Sequence, residues 1–281
     1  MTSDFLQQMA TSSRDRVQAA RRSISDAALL DRARATRAPP ALRRHPGGFD
    51  LIAELKLRSP AVGQLKSGDE DVPARVTAYA RAGAAAVSIL TEPTKFDGSM
   101  SHLQTGARAL EPLQVPAMRK DFLVDPYQVI EARAAGAGGV LVILRMLPRE
   151  AIDSLLEQAR ALDLFVLLEA FDEHDIEQMH DIVSAHAQGV LLAGVNCRDL
   201  VTLQVVPHRL DELVRWLPTS VPRVAESGVG SAEDARRVAA AGYDLALVGS
   251  ALMQGGDPKA LAEAMLTAGR SARAPVRRQL G

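Results

Sequence analysis

Cysteine occurs once in this chain, at Cys197, which excludes a disulfide framework and suits an intracellular protein. Charge of one sign is missing too: 33 Lys+Arg stand against 34 Asp+Glu, a formal net charge of −1. Phosphate neutralisation along a nucleic acid needs a basic surplus, so nucleic acid is not expected as the main partner. Long hydrophobic runs are absent, none reaching the roughly 18–20 residues of a membrane span, so no membrane partner is expected. Residues 1–16 carry Asp4, Arg14, Asp15 and Arg16 but no apolar stretch, so a signal peptide is not expected and the reading is cytoplasmic. Six histidines show neither His-x-x-x-His nor Cys–His spacing, and no metal site is expected.

What the chain does have is 281 residues, 47 % of them hydrophobic, enough for one large packed domain. Residues 1–48 differ from the rest. Phe5, Leu6, Met9 and Val17, then Ile24, Leu29 and Leu30, mark two Arg-rich amphipathic helices, closed off by Pro39-Pro40 and Pro46-Gly47-Gly48. From Phe49 onward apolar runs recur: Phe49–Leu55, Ala86–Leu90, Val115–Met118, Gly139–Leu144, Leu164–Leu168, Val190–Val195, Pro222–Ala225 and Leu245–Val248. Several are apolar at nearly every residue, as parallel strands covered on both faces are. Helical periodicity fills the gaps over Ala74–Ala82, Pro126–Ala135, Arg149–Ala161 and Ala232–Ala241, and Gly83, Gly136 and Gly242 stand at C-cap positions. Asp125-Pro126 and Ser231 read as helix starts.

Strand–helix alternation of this kind allows an eight-stranded βα barrel or an open doubly wound sheet. No Gly-x-Gly-x-x-Gly follows the first run, which counts against a dinucleotide fold. A barrel instead predicts polar functional groups at the carboxyl ends of many strands. Glu54 and Lys56, Thr91-Glu92, Arg119-Lys120-Asp121, Glu169, Asn196-Cys197-Arg198, Glu226-Ser227 and Gly249-Ser250 all stand there, and the fourth run offers Arg145. Taken singly, Arg119 or Arg145 reads as a solvated strand end. Glu54 and Lys56 alternate onto one side, toward the barrel mouth. The turns at Ser227–Gly230 and Gly249–Leu252 open short helices where a phosphate fits, with Lys56 as a countercharge. Cys197 reads as a small packed residue rather than a nucleophile, His174 and His180 as solvated. The expected architecture is a (β/α)8 TIM barrel over 49–269, with an N-terminal helical extension at 1–48 and a frayed basic tail at 270–281.

These stretches resemble the indole-3-glycerol-phosphate synthase family of tryptophan biosynthesis. The resemblance runs through Ile52-Ala-Glu-Leu-Lys56, Ser59-Pro60, Ser88–Pro93, Phe96-Asp-Gly-Ser99, Arg119-Lys-Asp-Phe122, Asp125–Gln128, Glu131–Gly136, Leu167-Leu-Glu169, Asn196–Leu200, Ala225-Glu-Ser-Gly228 and Val248-Gly249. It implies ring closure of 1-(2-carboxyphenylamino)-1-deoxyribulose 5-phosphate with loss of carbon dioxide and water, and no cofactor. It implies a catalytic set of Lys120 (general acid), Glu169, Glu54, Lys56, Asn196 and Ser227. Implied substrate contacts are Ser59, Phe96, Phe122, Arg198, Glu226, Gly228, Gly249 and Ser250, with the helix around Phe5 a candidate lid. The implied partner is this small phosphorylated anthranilate derivative; the assembly is expected to be a monomer or weak homodimer. Ala61, Cys197 and Ala170-Phe171 depart from the usual pattern, and Asp181–Gln188 looks a few residues longer than usual, as in a divergent member. The related isomerase of the same pathway would need a Cys on the first strand, where Glu54-Leu55-Lys56 stands. A barrel that kept only phosphate binding would need neither Lys120 nor Glu169.

Overall fold

A computed structural model describes residues 4–59, 63–66, 70–199, 202, 204–254 and 256–273. Eight parallel strands close into a barrel: β1 (Asp50–Leu55), β2 (Ala86–Leu90), β3 (Ala117–Lys120), β4 (Gly139–Ile143), β5 (Phe165–Ala170), β6 (Leu191–Asn196), β7 (Arg223–Glu226) and β8 (Leu245–Val248). Closure comes from β8 pairing back on β1, with Asp50 opposite Leu245 and Ala53 opposite Val248. The helices are α1 (Asp4–Ser23), α2 (Asp26–Ala35), α3 (Val72–Arg81), α4 (Met100–Leu110), α5 (Pro126–Ala134), α6 (Arg149–Ala161), α7 (Glu173–Ala185), α8 (His208–Leu213), α9 (Ala232–Ala241), α10 (Ser250–Gln254) and α11 (Pro258–Arg273). This is the (β/α)8 barrel that the alternation predicts.

Local chemistry sets the element ends. Ser25, Asp71, Ser99, Asp125, Asp172 and Ser231 each accept a hydrogen bond from a first-turn amide, filling a donor that the helix leaves open. Gly83, Gly136 and Gly242 take φ values of 95°, 91° and 118°, the left-handed stops expected of them. The core has two layers. Ile52, Met118, Leu141, Phe165, Leu167, Leu192 and Leu245 fill the barrel interior, and strand faces pointing outward pack on the helices. Gly139 lies opposite Phe165, and a Cβ there would overlap the Phe165 ring, so the glycine makes room for the largest interior side chain.

Three expectations need correction. β3 begins at Ala117 and runs through Lys120, two residues later than the apolar run, because the charged Arg119 is itself buried. Far from emerging into water, Arg119 donates to Thr91, to the Gln128 carbonyl, to Glu131 and to Asp121. Arg145 is likewise held, by Asp172 and Asp175, with its guanidinium 4.8 Å over the Phe171 ring. The boundary at 270 also moves: α11 continues to Arg273, Arg270 pairs with Asp50 and the Phe49 carbonyl, and Arg273 with Asp244. These ion pairs tie the last helix to the N-terminal end of the barrel. His174 is exposed, and exposed His180 contacts the Trp216 carbonyl at 2.8 Å. Residues 274–281 and Ala61 lie outside the described residues.

The N-terminal helices are packed on the barrel. Leu6 and Met9 join the interior cluster, while Val17, Leu29 and Ala33 join the outer one. Ser13 donates to the Phe122 carbonyl at 2.5 Å, and Arg16 forks onto both oxygens of Asp121 at 2.7 and 2.9 Å. α1 therefore grips the segment that leaves β3. No described helix is long and apolar enough to cross a membrane.

Candidate active site

Because all eight strands are parallel, their carboxyl ends share one rim, and the loops leaving them surround one cavity of about 1040 Å³. All of the residues expected at the site line it. Glu54, Lys56 and Ser59 come from the end of β1 and beyond, Phe96 from the loop after β2, and Lys120 and Phe122 from the end of β3 and the segment after it. Glu169 comes from β5, Asn196 from the end of β6 and Arg198 just after it, Glu226 from the end of β7 with Ser227 and Gly228 following, and Gly249 and Ser250 from the turn after β8.

Charge is concentrated at the floor. Lys56 Nζ lies 2.8 Å from Glu54 Oε1, the pairing that strand alternation predicts. Lys120 Nζ lies 3.3 Å from Glu226 Oε2 and 3.8 Å from Glu169 Oε2. Burial disfavours the Lys120 ammonium, but attraction from Glu169, Glu226 and Glu54 outweighs it and holds the group above its ordinary value. Desolvation likewise opposes the Glu54 carboxylate, yet Lys56, Lys120 and Arg198 bring it below the usual range. Glu226 goes the other way. Burial and then the nearby Glu169 push it up to about 8, with Lys120 opposing too weakly. Three carboxyl groups share two ammonium groups.

Orientation comes from a second set of bonds. The Asn196 amide nitrogen donates to Glu169, while its oxygen accepts from the Ser227 hydroxyl at 2.9 Å and from the Arg198 amide at 3.0 Å. Ser227 has φ 66° and Gly228 φ 70°, so two consecutive left-handed residues lift the chain across the mouth. Across the rim, Gly249, Ser250 and Ala251 line the cavity where α10 begins, and Met253 N is bonded to the Gly249 carbonyl. The apolar side holds Phe5, Phe96 and Phe122, with ring centroids 5.9 Å (Phe5–Phe122) and 6.1 Å (Phe96–Phe122) apart. Phe171, a departure from the family pattern, lies on the same cavity, between Glu169 and Arg145. Cys197 is buried, and burial pushes its thiol up to about 11, which removes it as a nucleophile.

Two glycines make room for buried carboxyls here, and of these strand-end chemistry singled out Gly249 but not Gly194. A Cβ on Gly194 would overlap Glu226 Oε1 and sit 2.9 Å from Leu167 Cδ1; one on Gly249 would overlap Glu54 Oε1. They are notches for two buried carboxyls, and Glu54 Oε2 and Glu226 Oε1 are buried without a hydrogen-bond partner. A glycine inside the buried run Leu191–Asn196 was the available signal for Gly194. Nothing in spacing pairs Arg16 with Asp121. Burial alone would raise Asp121, but Arg16, Arg119 and Thr91 hold it well below the carboxylate range. Among the described residues no cluster of three or more His, Cys, Asp or Glu side chains is placed to hold a metal ion.

Comparison with known proteins agrees with this geometry. The family model for indole-3-glycerol phosphate synthase matches residues 6–265. The chain is 41 % identical over 219 residues to the indole-3-glycerol phosphate synthase of Parafrankia sp. (strain EAN1pec), covering 78 % of each. Against that of Rhodococcus jostii (strain RHA1) it is 38 % identical over 256 residues, 89 % of this chain and 91 % of the relative. Against that of Mycolicibacterium smegmatis it is 40 % identical over 243 residues, 84 % and 85 % of the two. Among solved structures, thiamine phosphate pyrophosphorylase from Pyrococcus furiosus superposes with a TM-score of 0.58 at 16 % identity, over 80 % of this chain and 98 % of that one. Orotidine 5'-phosphate decarboxylase from Pyrococcus horikoshii OT3 gives 0.57 at 14 %, over 79 % and 99 %. At those identities the likeness is one of fold.

Proposed function

Since this chain belongs to the indole-3-glycerol phosphate synthase family, we propose a division of labour among its cavity residues for the reaction that family carries out. The enzyme is a carboxy-lyase that closes 1-(2-carboxyphenylamino)-1-deoxyribulose 5-phosphate to indole-3-glycerol phosphate. The ring carbon bearing the carboxylate attacks the ketone, carbon dioxide leaves, and water is lost.

Attack turns the ketone oxygen into a developing alkoxide, which needs a proton and a positive neighbour. Lys120 supplies both, as an ammonium held charged by Glu169 and Glu54, with Glu226 accepting its hydrogen bond. Loss of carbon dioxide returns the electron pair to the ring. Dehydration then requires a proton on the departing hydroxyl and removal of one from the ring carbon or nitrogen. Glu169, Glu54 and Lys56 are the acid–base groups for these steps. Asn196, Arg198 and Ser227 orient the anthranilate and the hydroxylated chain, with Ser59 and Glu226 as further contacts. The phosphate takes the amides at Gly228 and at Gly249-Ser250, with Lys56 as countercharge, and Phe96 and Phe122 wall the aromatic ring. We read the enzyme as cytoplasmic, as a monomer or weak homodimer, and as free of nucleic-acid and membrane partners.

The observation that carries this reading is the half-buried Lys120 ammonium between two carboxyl groups at the centre of the rim. Its test is steady-state kinetics. Lys120→Met should lower kcat by at least about 10²-fold with KM nearly unchanged, because protonation matters only as the alkoxide forms. Lys56→Met should instead raise KM, because a countercharge to phosphate acts in ground and transition states alike. The opposite pattern, with Lys120→Met moving only KM and Lys56→Met only kcat, overturns the assignment.

A further inference from the structure

Immediately after β2 the chain carries a carboxylate that the catalytic scheme does not use. Glu92 is 1 % exposed and does not line the cavity. Its Oε1 accepts from the Thr94 amide at 2.8 Å and the Thr94 hydroxyl at 2.6 Å, and its Oε2 from the Lys95 amide at 2.7 Å. Its own carbonyl accepts from the Gly98 amide at 2.9 Å. Both ends of the residue therefore bind the loop that follows it.

That loop is tightly built. Asp97 has φ 53°, and a Cβ on Gly98 would come within 2.7 Å of the Leu90 carbonyl carbon and 2.9 Å of the Glu92 amide nitrogen, so backbone lies on backbone. Phe96 stands at the turn, on the cavity, its ring 6.1 Å from that of Phe122 at an interplanar angle of 41°. A carboxylate is buried at a cost unless its lone pairs are filled, and here three donors within its own loop fill them.

We propose that Glu92 is a positioning residue: its buried carboxylate folds the loop after β2 into the shape that sets Phe96 against the aromatic ring of the substrate. This rests on Phe96 being a wall of the ring site. Glu92→Gln keeps the size but puts an NH2 against amide donors, so one or more of the three bonds is lost.

The test is steady-state kinetics and thermal denaturation on full-length Glu92→Gln, Phe96→Ala and the double variant. Thr94→Val is a milder arm that removes only the hydroxyl donor. Glu92→Gln should raise KM about 10-fold, equivalent to about 1.4 kcal/mol of lost ring contact, with kcat within about twofold. Thr94→Val should raise KM less, in the same direction. On the Phe96→Ala background Glu92→Gln should add no further rise, since no ring is left to place. Additive KM effects, a lowered kcat, or a lowered Tm with KM unchanged overturn the positioning role. If Phe96→Ala raises KM and Glu92→Gln does not, the positioning role alone falls; if Phe96→Ala leaves KM unchanged, the wall assignment falls first.

Discussion

Glu226 shows how one residue acquires a property that its identity does not carry. Burial and the neighbouring Glu169 lift its carboxyl to about 8. At low pH the carboxyl is protonated in folded and unfolded chains alike. As pH rises through the ordinary carboxyl range the unfolded chain ionises and the folded one does not, so stability falls until about pH 8. Glu226→Gln cannot ionise in either state. Thermal denaturation from pH 4.5 to 8 should therefore show a shallower decline of Tm in that variant than in the parent. An equal slope in both would show that Glu226 does not hold the proton. Glu54 and Asp121 carry the opposite sign, because their depressed values add stability that is lost as pH falls through them.

At the scale of elements, the turns after β7 and β8 decide whether a phosphate can be held. Gly228 at φ 70° has Cys197 Sγ and Val205 Cγ1 at 3.1 and 3.2 Å from where a Cβ would sit. Gly228→Val adds branched bulk at a left-handed position and closes the approach to the turn without altering any of the proposed acid–base groups. KM should rise at least tenfold, and inorganic phosphate should lose its competition with substrate. A sulfate or phosphate in a crystal should sit between these two turns. An anion found only at the N-terminal end of the barrel would contradict the assignment. Both turns were legible as Gly-rich helix starts, but the left-handed Ser227 was not, because serine has no intrinsic preference for φ 66°.

The whole molecule joins the helical extension to the rim through Arg16 and Asp121, 105 residues apart in sequence. Asp121 has a fully buried side chain and keeps Arg119 and Thr91 if Arg16 is removed. Arg16→Met should thus cost about 1–3 kcal/mol, less than a buried carboxylate left without any partner. Denaturant unfolding measures it, and an unchanged midpoint would mean that Leu6, Met9 and Val17, with Ser13 and Arg21, hold α1 without it. Charge follows the same division. Residues 1–48 hold 9 Arg and 4 Asp, a net of +5, so the remaining residues carry −6 of the chain's −1. Ion pairs from α1 to Asp121 and Asp125, and from Arg37 just beyond α2 to Glu111 after α4, lie along that divide.

The order of strands and helices, their caps and the charged strand ends were all determined by the sequence itself. Periods of 2 and 3.6, an Asp before a Pro and a Gly after a helix act over a few residues, so they survive without tertiary context. The third strand slipped by two residues because burial of Arg119 depends on Glu131 and Asp121, partners that an apolar run does not announce. Tertiary structure alone decided which carboxyl faces which ammonium, which keeps a proton, and where glycine must give way. Those properties follow from barrel closure, which sets Glu54, Lys120, Glu169 and Glu226 on four different strands within reach of one another. Distances across a closed sheet depend on strand register and stagger, and no local pattern in the chain encodes them.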